Sequence, residues 1–164
     1  MTEVAILRVV QQWTKPVIGV VLLEKNGKRR LVFFVDTAVG HAIVHALGKI
    51  PHQRPLTHDL LANLIASFNA KIRHVVIHDW KDKFFHAKIV LEHPGGTTEL
   101  ESRPSDAVAL AVAAEAPIFV EDRVFEAIKA VGQPATPPAN SPPPVSILWP
   151  FAKPPPLPPS DAAP

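Results

Sequence analysis

Arg54, His58 and Asp59 stand close together where a proline-flanked loop gives way to an apolar helical pattern. A second group of similar make-up, Arg103, Ser105 and Asp106, surrounds Pro104 at the start of an alanine-rich run. These side chains suit chemistry at a phosphate. The planar guanidinium groups of Arg54 and Arg103 can each hold two phosphate oxygens, with the Ser105 hydroxyl beside them. His58 is a candidate acid or base, and Asp59 and Asp106 are candidate metal ligands. Phosphodiester hydrolysis needs a water activated by a base or metal, and positive groups to receive charge in the transition state. Both groups sit at expected helix N-termini, where free amides and the helix dipole favour an anion. One pocket results if the fold brings the two ends together. The same residues also admit a structural use. Asp59 and Asp106 can serve as first-turn carboxylates, and Arg54 with Asp106, or Arg103 with Asp59, can form a buried ionic lock.

The elements that must position these groups are legible in the pattern. Glu3 to Val10, Val17 to Leu23 and Arg29 to Val35 read as strands, the last two joined by Asn26-Gly27. Thr37 to Leu47 reads as a helix. Thr57 to Phe68 reads as an amphipathic helix with Leu60, Leu61, Leu64, Ile65 and Phe68 as its stripe and Thr57 as its N-cap. Ile72 to Trp80 and Phe84 to Glu92 form a second hairpin around Lys81-Asp82, and Thr97 to Glu101 is a short strand. Pro104 opens a helix running to Ala114, Ile118 to Val120 is a strand, and Asp122 to Ala130 is a last helix. Strands in hairpins, without regular strand–helix alternation, predict an α+β domain whose mixed or antiparallel sheet is covered by helices.

The histidines give weaker signals. His41 and His45 are four apart on one helix, a spacing that can bind a metal, but the Glu of the His-Glu-x-x-His pattern is missing. Alternation puts His74 and His78 on one strand face with Ile72, Val76 and Trp80, which reads as core or interface. Arg73, with His86 and Lys88 if Trp80 pairs with Lys83, would form a basic patch on the other face.

Arg54-Pro55-Leu56-Thr57-His58-Asp59-Leu60-Leu61, followed by Arg103-Pro104-Ser105-Asp106-Ala107-Val108-Ala109-Leu110-Ala111 and Ala116-Pro117-Ile118-Phe119-Val120, resembles the bifunctional nuclease domain family in order and spacing. The resemblance spans roughly Val20 to Ala130. It implies an α+β domain, often dimeric, with nuclease activity on DNA and RNA. One departure concerns the first helix, where family members commonly carry an acidic residue. The matching segment here is Phe34-Val35-Asp36-Thr37-Ala38-Val39-Gly40, with Val39 at the place of the glutamate. The expectation is a nuclease of low sequence preference with His58, Asp59 and Asp106 catalytic, and Arg54, Arg103 and Ser105 on the phosphate. Mg²⁺ or Mn²⁺ on Asp59 and Asp106 is the expected ion, since carboxylate oxygens are at hand and cysteine is absent. The alternative is a non-catalytic dimeric binding or regulatory module.

Composition sets the frame. The 164 residues suit one domain, 1–131, plus a tail, 132–164. Thirteen of the nineteen prolines lie in that tail, which cannot form a helix interior or central strand and reads as a disordered, partly polyproline II extension. Its apolar island, Ile147-Leu148-Trp149-Pro150-Phe151, reads either as a peptide docking onto a partner or onto the domain itself, or as part of a plain linker. A net charge of +2 and a pI near 9.0 suit a polyanion without establishing one. The longest apolar runs are strand-sized, so no membrane association and a cytoplasmic location are expected.

Overall fold

The computed structural model of the chain describes residues 1–12, 16–131 and 145–149. β1 (Thr2–Gln12), β2 (Val17–Glu24) and β3 (Arg30–Asp36) form an antiparallel meander, followed by α1 (Thr37–Leu47) and α2 (Thr57–Ser67). β4 (Lys71–Lys81), β5 (Phe84–His93) and β6 (Gly96–Ser102) form a second meander. Then come α3 (Pro104–Ala113), β7 (Ile118–Val120), α4 (Asp122–Val131) and β8 (Val145–Trp149). The short β7 welds the two meanders together. It lies antiparallel to Thr2–Val4 of β1 and parallel to Val75–Ile77 of β4, giving the order β3-β2-β1-β7-β4-β5-β6. The result is a mixed sheet with four covering helices, the expected α+β class.

Two turns carry sequence information differently. Asp82 and Lys83 both have positive φ (52° and 70°), so two residues close the β4–β5 hairpin with the right-handed twist its strands need. Asn26-Gly27 instead lies within a wider loop between Glu24 and Arg30, closed by the Glu24 amide on the Arg29 carbonyl at 3.1 Å.

α3 is the centre of the packing. Ala107, Val108, Ala109, Leu110 and Ala111 are all essentially without solvent contact. A helix apolar on every side must be covered on every side. Its alanines let α1, α2 and the sheet approach, as a close-packing element should. α1 lies against β2, where a Cβ on Gly40 would come within 2.7 Å of the Ile18 Cβ. Only glycine fits there.

α2 departs from its expected packing. Of its apolar stripe only Ile65, with Ala62, packs on the core, whereas Leu60, Leu61, Leu64 and Phe68 are exposed. Its N-cap is also Leu56, one residue before the expected Thr57.

β4 also departs from the expected alternation of faces. Two bulges, between Ile72 and His74 and between Ile77 and Asp79, each insert one residue. Each insertion reverses the alternation. Ile72, Val75, Ile77 and Trp80 therefore meet the core, while His74, Val76 and His78 take the opposite face. Trp80 pairs with Phe85, not Lys83. The Arg73–His86–Lys88 patch rested on that other register.

Most of the proline-rich tail lies outside the described residues. Within it, Val145–Trp149 is the strand β8, paired antiparallel with Val9–Gln12 of β1. This pairing brings Ile147–Trp149 of the apolar island alongside β1, whereas Pro150 and Phe151 lie outside the described residues. No described helix is long and apolar enough to cross a membrane.

Candidate active site

The starts of α2 and α3 approach each other through His58 and Asp106, but Arg54, His58 and Asp59 do not line the cavity that Arg103 and Ser105 share. In the first motif, Asp59 Oδ2 accepts a hydrogen bond from the Leu56 amide at 3.0 Å, closing the first turn of α2. In the second, Arg103 is the extended N-cap of α3 and Pro104 occupies its first turn. Arg103 Nε donates to Asp106 Oδ2 at 2.6 Å. This pairing holds the guanidinium's pKa up. Across the helix interface, His58 Nε2 lies 3.8 Å from the other oxygen of Asp106. The chain Arg103–Asp106–His58 thus links the starts of α2 and α3.

Neither expected lock forms. Arg103 pairs within its own motif, and Arg54 is exposed with no ion pair among the described residues. His58 is mostly buried between the helices, and its Nδ1 has neither solvent contact nor a hydrogen-bond partner among the described residues. Its imidazole therefore presents no solvent-facing nitrogen at Nδ1. Asp59 points elsewhere, into a small cavity of about 220 Å³ that it shares with His45, His52 and Glu115.

A cavity of about 800 Å³ lies beside the second motif. Arg103 and Ser105 of the α3 start line it, as does Asp36 at the start of α1. Two helix N-termini therefore open towards one space. Pro104 has no amide hydrogen, and the Ala107 amide bonds to the Arg103 carbonyl. The first-turn amides left for an anion are those of Ser105 and Asp106. Asp36 is partly spent, since its Oδ1 accepts the Val39 amide at 3.0 Å. Val39, at the position where a carboxylate was expected, is a buried core residue.

Facing the α3 start are groups that the sequence reading did not join. Glu101 Oε1 lies 3.1 Å from His78 Nε2 and 3.7 Å from His86 Nδ1. Three neighbouring strands supply these residues, and both His86 and Glu101 line the cavity. The nearer His86 nitrogen to that carboxylate is Nδ1. The β4–β5 turn adds Lys83, which makes no ion pair among the described residues. The remaining walls are apolar, chiefly Phe33, Phe34, Trp80, Phe84 and Phe85. The signal for this side was present as Trp80, Phe85 and His86 around a tight turn, but the register had to be right for it to be seen.

The other histidines have local partners. His45 Nδ1 and His52 Nε2 are 2.8 Å apart, and His41 stacks on His45 with ring centroids 6.4 Å apart. His74 packs edge-on against Phe119, and burial, reinforced by Arg73, lowers its pKa below the usual imidazole value. Among the described residues no three His, Asp or Glu side chains are grouped so as to hold a metal ion. Asp59 and Asp106, occupied by Leu56 and by Arg103, do not fit the Mg²⁺ or Mn²⁺ expected of them.

Residues 20–132 match the family model described as the bifunctional nuclease domain. The chain is also 34% identical over 119 residues to two proteins of Mycobacterium tuberculosis, from strains CDC 1551 and H37Rv, both named as uncharacterized proteins. Those matches cover 73% of this chain and 70% of each relative. With the two helix-start motifs joined through His58 and Asp106, this chain belongs to the bifunctional nuclease domain family.

Proposed function

We propose that the domain is a nuclease that hydrolyses phosphodiester bonds of DNA or RNA with little sequence preference, in the cavity beside α3. The observation that carries this reading is that Arg103 and Ser105 line the same cavity as His86 and Glu101. A phosphate held by the Ser105 and Asp106 amides and the free nitrogens of Arg103 would have its charge met by fixed donors. His86 would take a proton from an attacking water, and Glu101 would stabilise the imidazolium. Asp106 and His58 act as positioning residues, one fixing Arg103 and the other holding α2 against α3. Asp59 closes its own helix, and Arg54 lies outside the cavity. No step of this reading passes through a metal.

A cleavage assay on single-stranded and duplex substrates, with and without EDTA, tests it. Arg103→Ala and His86→Gln should each lower turnover by about 100-fold or more. Equal turnover in both variants and wild type would remove the site, and loss of turnover in EDTA would restore the Mg²⁺ or Mn²⁺ expectation.

A specific observation favours a second reading, a non-catalytic dimeric module with the tail recruiting a protein partner. Position 39 is apolar, and Leu60, Leu61, Leu64 and Phe68 form an exposed face without a charged residue. An uncharged patch can meet a second copy of itself without like-charge repulsion. Wild type without turnover, sedimenting as a dimer that Leu64→Glu dissociates, would establish that reading over the first.

A further inference from the structure

We infer that the aromatic part of the cavity receives one unpaired nucleobase, so that a strand already unpaired where it binds is strongly preferred to duplex. This rests on the nuclease reading and adds what the site would recognise beyond phosphate. Five aromatic rings line a space of about 800 Å³. Three already pack on one another, Trp80 with Phe85 at 4.3 Å between centroids and Phe85 edge-on to Phe33 at 6.5 Å. They form a floor. Phe34 and Phe84 do not belong to it. They are 49% and 70% exposed, and neither has an aromatic partner among the described residues.

Large aromatic side chains left wet beside a concave apolar space mark a surface that is covered when a ligand binds. The charges around the space narrow the ligand's chemistry. Lys83 stands on one side without an ion-pair partner, and Arg103 on another with only its Nε engaged. Flat apolar walls with separate cations suit a flat ring carrying an anionic backbone. A nucleobase offers a π-face to Phe34, Phe84 or Trp80 whatever its identity, which agrees with low sequence preference. In a duplex both faces of a base are covered by its neighbours, and flipping one out costs its stacking and pairing energy, so an unpaired strand enters far more readily.

The test is fluorescence anisotropy with the full chain carrying His86→Gln, which removes the proposed general base so that the strands stay intact, using labelled oligothymidylate, an abasic oligomer of equal phosphate count and a blunt duplex. Oligothymidylate should bind about tenfold or more tightly than either of the others. Phe84→Ala and Phe34→Ala, both at exposed positions, should each weaken oligothymidylate by about fivefold or more and leave the abasic oligomer unchanged. Equal binding of oligothymidylate and abasic oligomer, still weakened by Arg103→Ala, would overturn the base pocket and keep the phosphate site. Duplex binding as tight as single strand would overturn the preference for an unpaired strand. Binding of none of the three would overturn the nuclease reading as well.

Discussion

His58 Nε2 stands 3.8 Å from Asp106 Oδ1, and this one approach joins the first turns of two helices that are far apart in the chain. The orphaned Nδ1 behind it makes His58 a test of what the joint is for. A buried nitrogen without a partner costs about 1–3 kcal/mol, so an apolar replacement of similar size removes a penalty along with a contact. His58→Leu should unfold in urea within about 1 kcal/mol of wild type. A loss well beyond that would show that the Asp106 contact dominates.

The contact of α1 with β2 is set by a missing side chain. Gly40→Ala would push a methyl group into Ile18, which is fully buried and cannot turn aside. Overpacking of this kind costs about 1–3 kcal/mol. A lowered thermal midpoint should result, and because Asp36 caps this same helix, weaker oligonucleotide binding should accompany it.

Lys83 holds a φ of 70° to close the β4–β5 turn. A left-handed conformation is costly for a residue with a Cβ and nearly free for glycine, less the entropy glycine loses on folding. Lys83→Gly should therefore raise stability by up to about 1 kcal/mol in urea unfolding while weakening binding of single strands. Stability and binding moving together would argue against a role for this ammonium at the cavity.

The pKa of His74 in the folded state lies below its unfolded value because burial disfavours the cation. The unfolded chain then binds the proton first as pH falls, so stability is lost from about pH 6.5 downwards, through the lower folded value. Arg73 strengthens this effect and Glu99 opposes it. His74→Asn should flatten the stability profile over that range relative to wild type, as followed by urea midpoints at successive pH values.

Where local signals agreed, the sequence was legible. α1 runs from Thr37 to Leu47 as read, because Asp36 caps one end and Gly48 the other. The same holds for Pro104 at the start of α3, whereas the β4–β5 turn, expected around Lys81-Asp82, closes one residue later on Asp82-Lys83. What could not be read was anything depending on a bulge. Two inserted residues in β4 carried His74 and His78 away from Trp80, and with them went the chance of seeing His78, Glu101 and His86 together. The two motifs were legible as helix starts, but not the choice of partners. Arg103 is three residues from Asp106, and a local pair at 2.6 Å outcompeted the distant ones the ionic lock required.

One edge of β1 is divided between two tenants, β7 at Thr2–Val4 and β8 at Val9–Gln12. Removing everything after residue 132 would vacate the second half and bare the amides and carbonyls that β8 now satisfies. Such a row is a template for pairing between molecules. A truncated chain should thus keep its nuclease-type domain but turn adhesive, clumping on concentration where the intact chain stays dispersed.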